Sequence, residues 1–347
     1  MMHSESGNYY PVGLPVFFQN SIPDIAYEKY FFVRIRTRFY LKKDMLPFIQ
    51  IKGSSLYRGT EALETSDVYI NGQYHRYIYD GNMNKVPTSV ELTLTMTDYK
   101  LLLDHYDVED FEILDGCYFE KKIGLFDAYI DKYKEIKMNS KGAMRQLAKL
   151  FLNNLYGKFA SSTDSSFKVA YLKEDNSIGF RSVEAHDKEP GYIPIGSAIT
   201  SYARNFTIRA AQANYHGVDK PGFIYADTDS IHCDLPADKI RGIKIHDVDF
   251  CCWKLENEWD KGIFVRAKTY IEHTVKCDGV PVAPFYQIKC AGMSPESKAL
   301  FNTQLASGQA KLTDFKVGFE IAGKKLPKQI KGGTVLFDTN FKLHPKR

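Results

Sequence analysis

The 347-residue chain is 44% hydrophobic and 25% charged, the balance of an ordinary soluble globular protein with roughly two or three domains. Its net charge of +4 is too small to argue for a polyanion by itself, so the distribution of charge has to be read. Six scattered cysteines without a Cys-x-x-Cys pair, and histidines without zinc spacing, exclude a structural zinc and suit a reducing compartment. No run of 18 apolar residues and no signal-like N-terminus is present, so an intracellular protein without a membrane anchor is expected.

Residues 1–30 read as loop, broken by Pro11, Gly13 and Pro15. From Tyr30 the pattern turns to strands. Val33-Arg34-Ile35-Arg36 alternates apolar and basic, Phe48–Lys52 is similar, and Val68–Gly72 with Tyr77–Gly81 suggests the two arms of a hairpin. Val90–Leu94 is a further strand, and Thr97–Tyr106 a short capped helix. Residues of about 30–120 therefore form an α+β unit.

Ile123–Ile136 has helical period, with Leu125, Phe126, Tyr129, Ile130 and Tyr133 on one face. A second helix runs from Lys141 to Tyr156, with Gly157 expected as its left-handed stop. It carries an apolar stripe of Met144, Leu147, Leu150, Phe151 and Leu155. A separate stripe of Lys141, Arg145, Lys149, Asn153 and Tyr156 or Gly157 recurs every three or four residues. Like charges at that spacing destabilise a helix by a few tenths of a kcal/mol per pair unless an anion faces them. The stripe is thus either a solvated basic face or a polyphosphate site. Residues 160–192 read as a polar hairpin around Asp175-Asn176, and Ile193–Ala211 as a helix.

Ile224–His232 holds Asp227-Thr228-Asp229 between two short strands. Asp is a poor strand former, so the segment is a tight turn, and carboxylates at i and i+2 can point the same way. Two anions held so close repel unless a cation joins them, and hard oxygen ligands of this kind suit Mg²⁺. Taken alone, the segment reads first as a solvated turn. A polar helical stretch and more strands follow, with Lys268 and Tyr270 on one face at i and i+2. The tail, residues 291–347, has ten Lys/Arg and four acids, a local excess of +6 larger than that of the whole chain. Such a lobe could grip a polyanion.

Taken together, these motifs resemble the C-terminal part of a family B DNA polymerase of the protein-primed kind found in tailed bacteriophages and linear plasmids. Lys149-Leu150-Phe151-Leu152-Asn153-Asn154-Leu155-Tyr156-Gly157 resembles the fingers motif Lys-x-x-x-Asn-Ser-Leu-Tyr-Gly, with Asn154 in place of Ser. Tyr225–Ser230 resembles the palm motif Tyr-x-Asp-Thr-Asp-Ser, Lys268-Thr269-Tyr270 the Lys-x-Tyr motif, and Thr200–Arg204 the Thr-x-x-Gly/Ala-Arg motif. The order of the four motifs makes a chance match remote. Reverse transcriptases favour adjacent aspartates and lack the fingers motif.

The resemblance implies an α+β right-hand fold of palm, fingers and thumb with two β-rich insertions. It assigns residues 1–29 to a remnant of the palm, 30–124 to an insertion contacting the priming protein and DNA, and 125–159 to the fingers. Residues 160–192 become a strand-displacement hairpin insertion, 193–290 the palm and 291–347 the thumb. Asp227 and Asp229 would be the catalytic and metal-binding carboxylates. Lys137, Arg145, Lys149, Asn153, Tyr156 and Gly157 would bind the nucleotide, and Thr200, Arg204, Lys268, Tyr270 and Lys289 the DNA. The family's Asp-x-x-Ser-Leu-Tyr-Pro motif and its exonuclease have no counterpart in this sequence. A two-metal Mg²⁺ site would then be partly supplied in trans. The implied partners are primer-template DNA, dNTPs, an N-terminal polymerase/exonuclease polypeptide and a terminal priming protein, in the host cytoplasm and away from any membrane. Two activities fit this reading: DNA synthesis as part of a split or truncated polymerase, or primer-template binding without turnover.

Overall fold

A computed structural model describes all residues except 53, 55, 58–61, 162–164, 176, 186–188, 247, 248, 250, 331, 332, 346 and 347. Along the chain run β1 (Tyr10–Gln19), α1 (Asp24–Glu28), β2 (Tyr30–Leu41), β3 (Val68–Ile70), β4 (Gln73–His75), β5 (Tyr77–Tyr79), β6 (Lys85–Pro87) and β7 (Val90–Thr95). Next come α2 (Met96–His105), β8 (Tyr106–Lys122), α3 (Asp127–Asn139), α4 (Gly142–Phe159), β9 (Ser165–Leu172), β10 (Ile178–Ala185) and α5 (Ile193–Ala213). The last elements are β11 (Phe223–Asp227), β12 (Ser230–Cys233), β13 (Asn257–Arg266), β14 (Thr269–Cys277), β15 (Val280–Cys290), α6 (Pro295–Ala306), β16 (Glu320–Ile330) and β17 (Gly333–Lys342). They fall into two compact units. The first holds Met1–Lys42, Thr65–Asp67 and His75–Phe206; the second holds Lys43–Glu64, Val68–Tyr74 and Thr207–Arg347. Among the described residues no helix is long and apolar enough to cross a membrane.

The first unit is built on an antiparallel sheet in the order β1-β8-β2-β7. Along β2, Phe31, Val33, Ile35 and Phe39 are buried while Arg34 and Arg36 face water, the alternation a half-exposed strand requires. The two arginines pair with Glu91 on β7 and with Glu112 and Asp115 on β8. Each exposed pair is worth at most about 1 kcal/mol, but a one-residue slip would bury these charges, so the ladder helps fix register. Helix α2 starts at Thr95, whose hydroxyl accepts the Asp98 N–H at 3.1 Å, and it buries Tyr99, Leu101 and Leu102.

Several expectations are corrected here. The N-terminal loop contains β1, an edge strand whose register slips between Val12 and Val16, where Gly13 and Pro15 sit. Proline and glycine are tolerated on an edge at such an irregularity, so they hid the strand. The 17-residue β8 was concealed by its interleaved charges. Phe48–Lys52 forms no strand, although Ile49 is buried. Val68–Ile70 and Tyr77–Tyr79 do not pair with each other. Asn71-Gly72, both at positive φ, turns β3 into β4, while β5 pairs with β6. The hairpin of residues 160–192 is present as β9 and β10; Asn176 at its tip lies outside the described residues.

In the second unit β13-β14-β15 form an antiparallel sheet, joined by the ladders β11-β12, β16-β17 and β3-β4. The polar helical stretch expected after the carboxylate turn is only a single 3-10 turn at Ala237–Lys239 among the described residues. The basic tail shares one core with the sheet: Ile271, Ile288 and Cys290 pack with Met293, Phe301, Leu305, Phe315 and Ile321. Of its basic residues, Lys331, Lys346 and Arg347 lie outside the described residues.

Candidate functional site

The carboxylate segment folds as expected into a hairpin, with Asp227 opposite Ser230 and Thr228-Asp229 between them. The Asp229 N–H donates back to the Asp227 carbonyl at 2.6 Å, closing a three-residue turn on Thr228 at φ +54°. A β-branched residue rarely adopts that conformation, and turns of this type store strain. The turn persists because its surroundings determine it. The Thr207 hydroxyl of α5 donates to the Thr228 carbonyl at 2.8 Å, and the Ser230 hydroxyl donates to the Asp227 carbonyl at 3.1 Å. At the other end of β11, Gly222 lies flush against the C-terminus of α5, where a Cβ would meet the Asn214 carbonyl oxygen at 2.2 Å. Only glycine permits that approach.

The second hairpin of the site is β13-β14, whose two-residue loop ends in Lys268, also in the left-handed region at φ +57°. That conformation sends the Lys268 ammonium to the Asp227 carboxylate, Nζ to Oδ2 at 2.6 Å. The Tyr225 hydroxyl joins the two turns: it accepts the Lys268 N–H at 2.9 Å and donates to Asp227 Oδ2 at 3.4 Å. Burial pulls the Asp227 carboxyl upward, but the Lys268 ammonium and the Thr228 hydroxyl outweigh it and hold the group below its ordinary value. The same hydrogen bond raises the Lys268 ammonium. The Tyr270 ring stacks on Phe264 at 5.2 Å, and its phenol is pushed up to about 12, first by burial and then by Glu272 and Tyr225. Lys289, exposed on β15, is the register partner of Tyr270.

The geometry thus brings together Asp227, Lys268 and Tyr270, with Asp229 exposed at the turn. Among the described residues the Asp229 carboxylate has no hydrogen-bond partner, and no cluster of three or more His, Cys, Asp and Glu is present. The Lys268 ammonium thus pairs with one carboxylate of a strained turn. The donor set fits Mg²⁺, which takes one or two protein carboxylates and completes its shell with water or substrate phosphates.

The nucleotide-binding candidates lie in the first unit on the antiparallel pair α3 and α4. The seam is aromatic: Tyr133 stacks on Phe151 at 4.8 Å, Phe126 meets Phe159 edge-on at 5.3 Å, and Ala148 is fully buried between the helices. Gly157 is not a stop, because α4 runs through it to Phe159. The expected apolar stripe is also corrected. Met144, Leu147, Leu150 and Phe151 are 40–54% exposed; α4 packs chiefly on α3, and Ala148 lies at that contact. Lys141, Arg145, Lys149, Asn153, Tyr156 and Gly157 of the cationic stripe are all exposed. Lys137, on α3, is half-buried. Among the described residues none of Lys137, Lys141, Arg145 and Lys149 has an ion-pair partner.

The remaining DNA-binding candidates are engaged differently. The Thr200 hydroxyl donates back into its own helix, to the Ser197 carbonyl at 2.9 Å. Arg204 pairs with Asp98, a buried carboxylate that also accepts the Ser201 hydroxyl at 2.8 Å. Asp98 was not a sequence candidate; its only mark was its place three residues after the cap Thr95. Tyr225 was legible only as part of its motif.

Residues 6–239 match the family model described as DNA polymerase type B, organellar and viral. The DNA polymerases of Bacillus phages B103 and phi29 are each 37% identical to this chain, covering 95% of it and 54% of their own length. That of Streptococcus phage Cp-1 is 33% identical over 97% of this chain and 53% of its own. The solved structure of phi29 DNA polymerase with primer-template DNA and incoming nucleotide is similar at a TM-score of 0.77 and 36% identity, over 99% of this chain and 55% of that one. The binary complex with primer-template DNA gives a TM-score of 0.76. The chain thus spans about half the length of the curated relatives it matches.

Proposed function

This chain belongs to the type B DNA polymerases of organelles and viruses, in the branch of the phi29-like phage enzymes, and on that premise we propose that it performs template-directed DNA synthesis. In this reading it is the C-terminal portion of a split or truncated protein-primed replicative polymerase, and it adds dNTPs to a primer 3′-hydroxyl or to a hydroxyl of the priming protein. The observation that carries the proposal is the Asp227–Lys268 contact on two facing turns, a carboxylate site already adapted to a cation.

Each residue then has a role. Asp227 and Asp229 would hold Mg²⁺, and a further carboxylate from another polypeptide segment would complete the metal site. When bound, Mg²⁺ activates the attacking hydroxyl and neutralises charge on the leaving phosphates. Lys149 and Arg145, with Lys137, compensate the triphosphate, while Asn153, Tyr156 and the Cβ-free Gly157 shape the pocket for the nascent base pair. Lys268, Tyr270 and Lys289 position the primer, and Thr200 and Arg204 hold the template-primer. The basic tail grips the duplex backbone. Residues 30–124 contact the priming protein, residues 160–192 assist strand displacement, and the work takes place in the host cytoplasm.

The test is primer extension with Mg²⁺ and dNTPs, by the chain alone and mixed with a polypeptide carrying the Asp-x-x-Ser-Leu-Tyr-Pro motif. Extension by the mixture is expected; an inactive mixture sinks the proposal. A second reading is primer-template binding without turnover. An inactive mixture that still binds primer-template would favour it.

A further inference from the structure

Beneath the two turns lies a buried ionisable pair with no part in the roles above. His232 on β12 and Glu272 on β14 meet with Nδ1 and Oε1 2.7 Å apart. Their side chains are 14% and 3% exposed. Glutamate is almost never buried so completely without a partner, because desolvating an unpaired carboxylate is very costly. Removing one member of such a pair destabilises a fold, yet replacing both by apolar groups of similar volume is often neutral. Stability alone therefore gives no reason for the pair, and its location supplies another.

His232 stands opposite Tyr225 in the β11-β12 register, and Glu272 is two residues beyond Tyr270 on β14. The imidazole packs against Tyr225 at 5.5 Å, Phe264 at 5.5 Å and Tyr270 at 4.9 Å. Tyr225 is the residue whose hydroxyl holds both the Lys268 N–H and the Asp227 carboxylate. Ring contacts are tolerant of angle and allow the hairpins to slide over one another. A hydrogen bond between charged or polar groups is directional, so the His232–Glu272 bond, at the buried end of the contact, sets distance and orientation together as the Tyr225–Lys268 bond does at the turns.

We propose that the His232–Glu272 bond is a positioning latch: it pins the carboxylate hairpin to the β13-β14 hairpin and, through Tyr225, sets the spacing of Asp227 and Lys268. The inference rests on reading Asp227 and Asp229 as the metal-holding carboxylates. His232 touches no substrate and acts through Tyr225.

The decisive variant is the double substitution His232→Leu with Glu272→Met, which removes the bond without leaving a buried charge. It is expected to melt at or above the wild-type temperature. Its kcat for nucleotide addition in the complemented mixture is expected to fall about tenfold or more, as misplacement of reacting groups does. The KM for dNTP and the Kd for primer-template are expected to stay within about twofold. Mn²⁺ binding, followed by electron paramagnetic resonance on the chain alone, is expected to weaken. His232→Asn, which keeps a donor near the position of Nδ1, should recover most of both losses. A stable double variant with wild-type kcat and wild-type Mn²⁺ affinity would overturn the latch. A wild-type mixture that adds no nucleotide would overturn the proposed function instead, and the Mn²⁺ titration would still decide the latch.

Discussion

The carboxylate hairpin and the cationic helix pair place their functional side chains in opposite ways. Around Asp227 almost every polar atom is engaged: Lys268, Thr228 and Tyr225 reach its carboxylate, and Thr207 pins the adjoining turn. Along α4 the candidate side chains are exposed, and among the described residues Arg145 and Lys149 have no ion-pair partner. The hairpin is thus preorganised by its own fold, whereas on the proposed reading the exposed cations of the helix are engaged when a polyanionic ligand binds. In such a scheme substitutions on the helix change ligand handling and leave stability alone, while substitutions around the hairpin change both.

The strongest expected break in this contrast is Lys149→Ala. Losing one cation from a triphosphate site lowers kcat/KM by about 10²–10³-fold, and melting should be unchanged because the side chain is exposed. A coincident drop in melting temperature would show that the helix is preorganised after all. A smaller effect, about tenfold or more in primer-template affinity, should follow an increase from about 50 to 200 mM salt, read by fluorescence anisotropy. A salt-independent affinity would remove the polyanion role of the basic residues. Third, Ala148→Leu should destabilise the first unit by about 1–3 kcal/mol through overpacking of the α3-α4 seam, measured by urea unfolding. The smallest effect concerns pH. Because the Asp227 carboxyl is held below its unfolded value, its contribution to stability is present above the ordinary carboxylate range and fades as pH falls through the folded value. Asp227→Asn should remove that contribution at neutral pH, flatten the acid limb and leave stability at low pH little altered, read by urea unfolding across pH.

How much of this could be read from the residues follows the same division. The carboxylate turn was legible because Asp-Thr-Asp between apolar runs allows few conformations, and the cationic stripe because helical spacing is fixed. Strand β2 was visible through its alternation. Strands β1 and β8 were not, since edge irregularities and interleaved charges erase the period on which such readings depend. Gly157 was misread because a glycine after a helical run is the usual stop signal, whereas α4 runs on to Phe159, whose ring packs on Phe126. The Asp98–Arg204 and His232–Glu272 pairs join residues 106 and 40 positions apart, and no local pattern announces such partners.

On the proposed reading Asp229 serves chemistry and not architecture. Asp229→Ala tests it most directly, because its carboxylate is exposed and supports nothing else among the described residues. In the complemented primer-extension assay the variant should lose extension while binding primer-template with nearly wild-type affinity. Undiminished extension, or loss of primer-template binding in its place, would contradict the account.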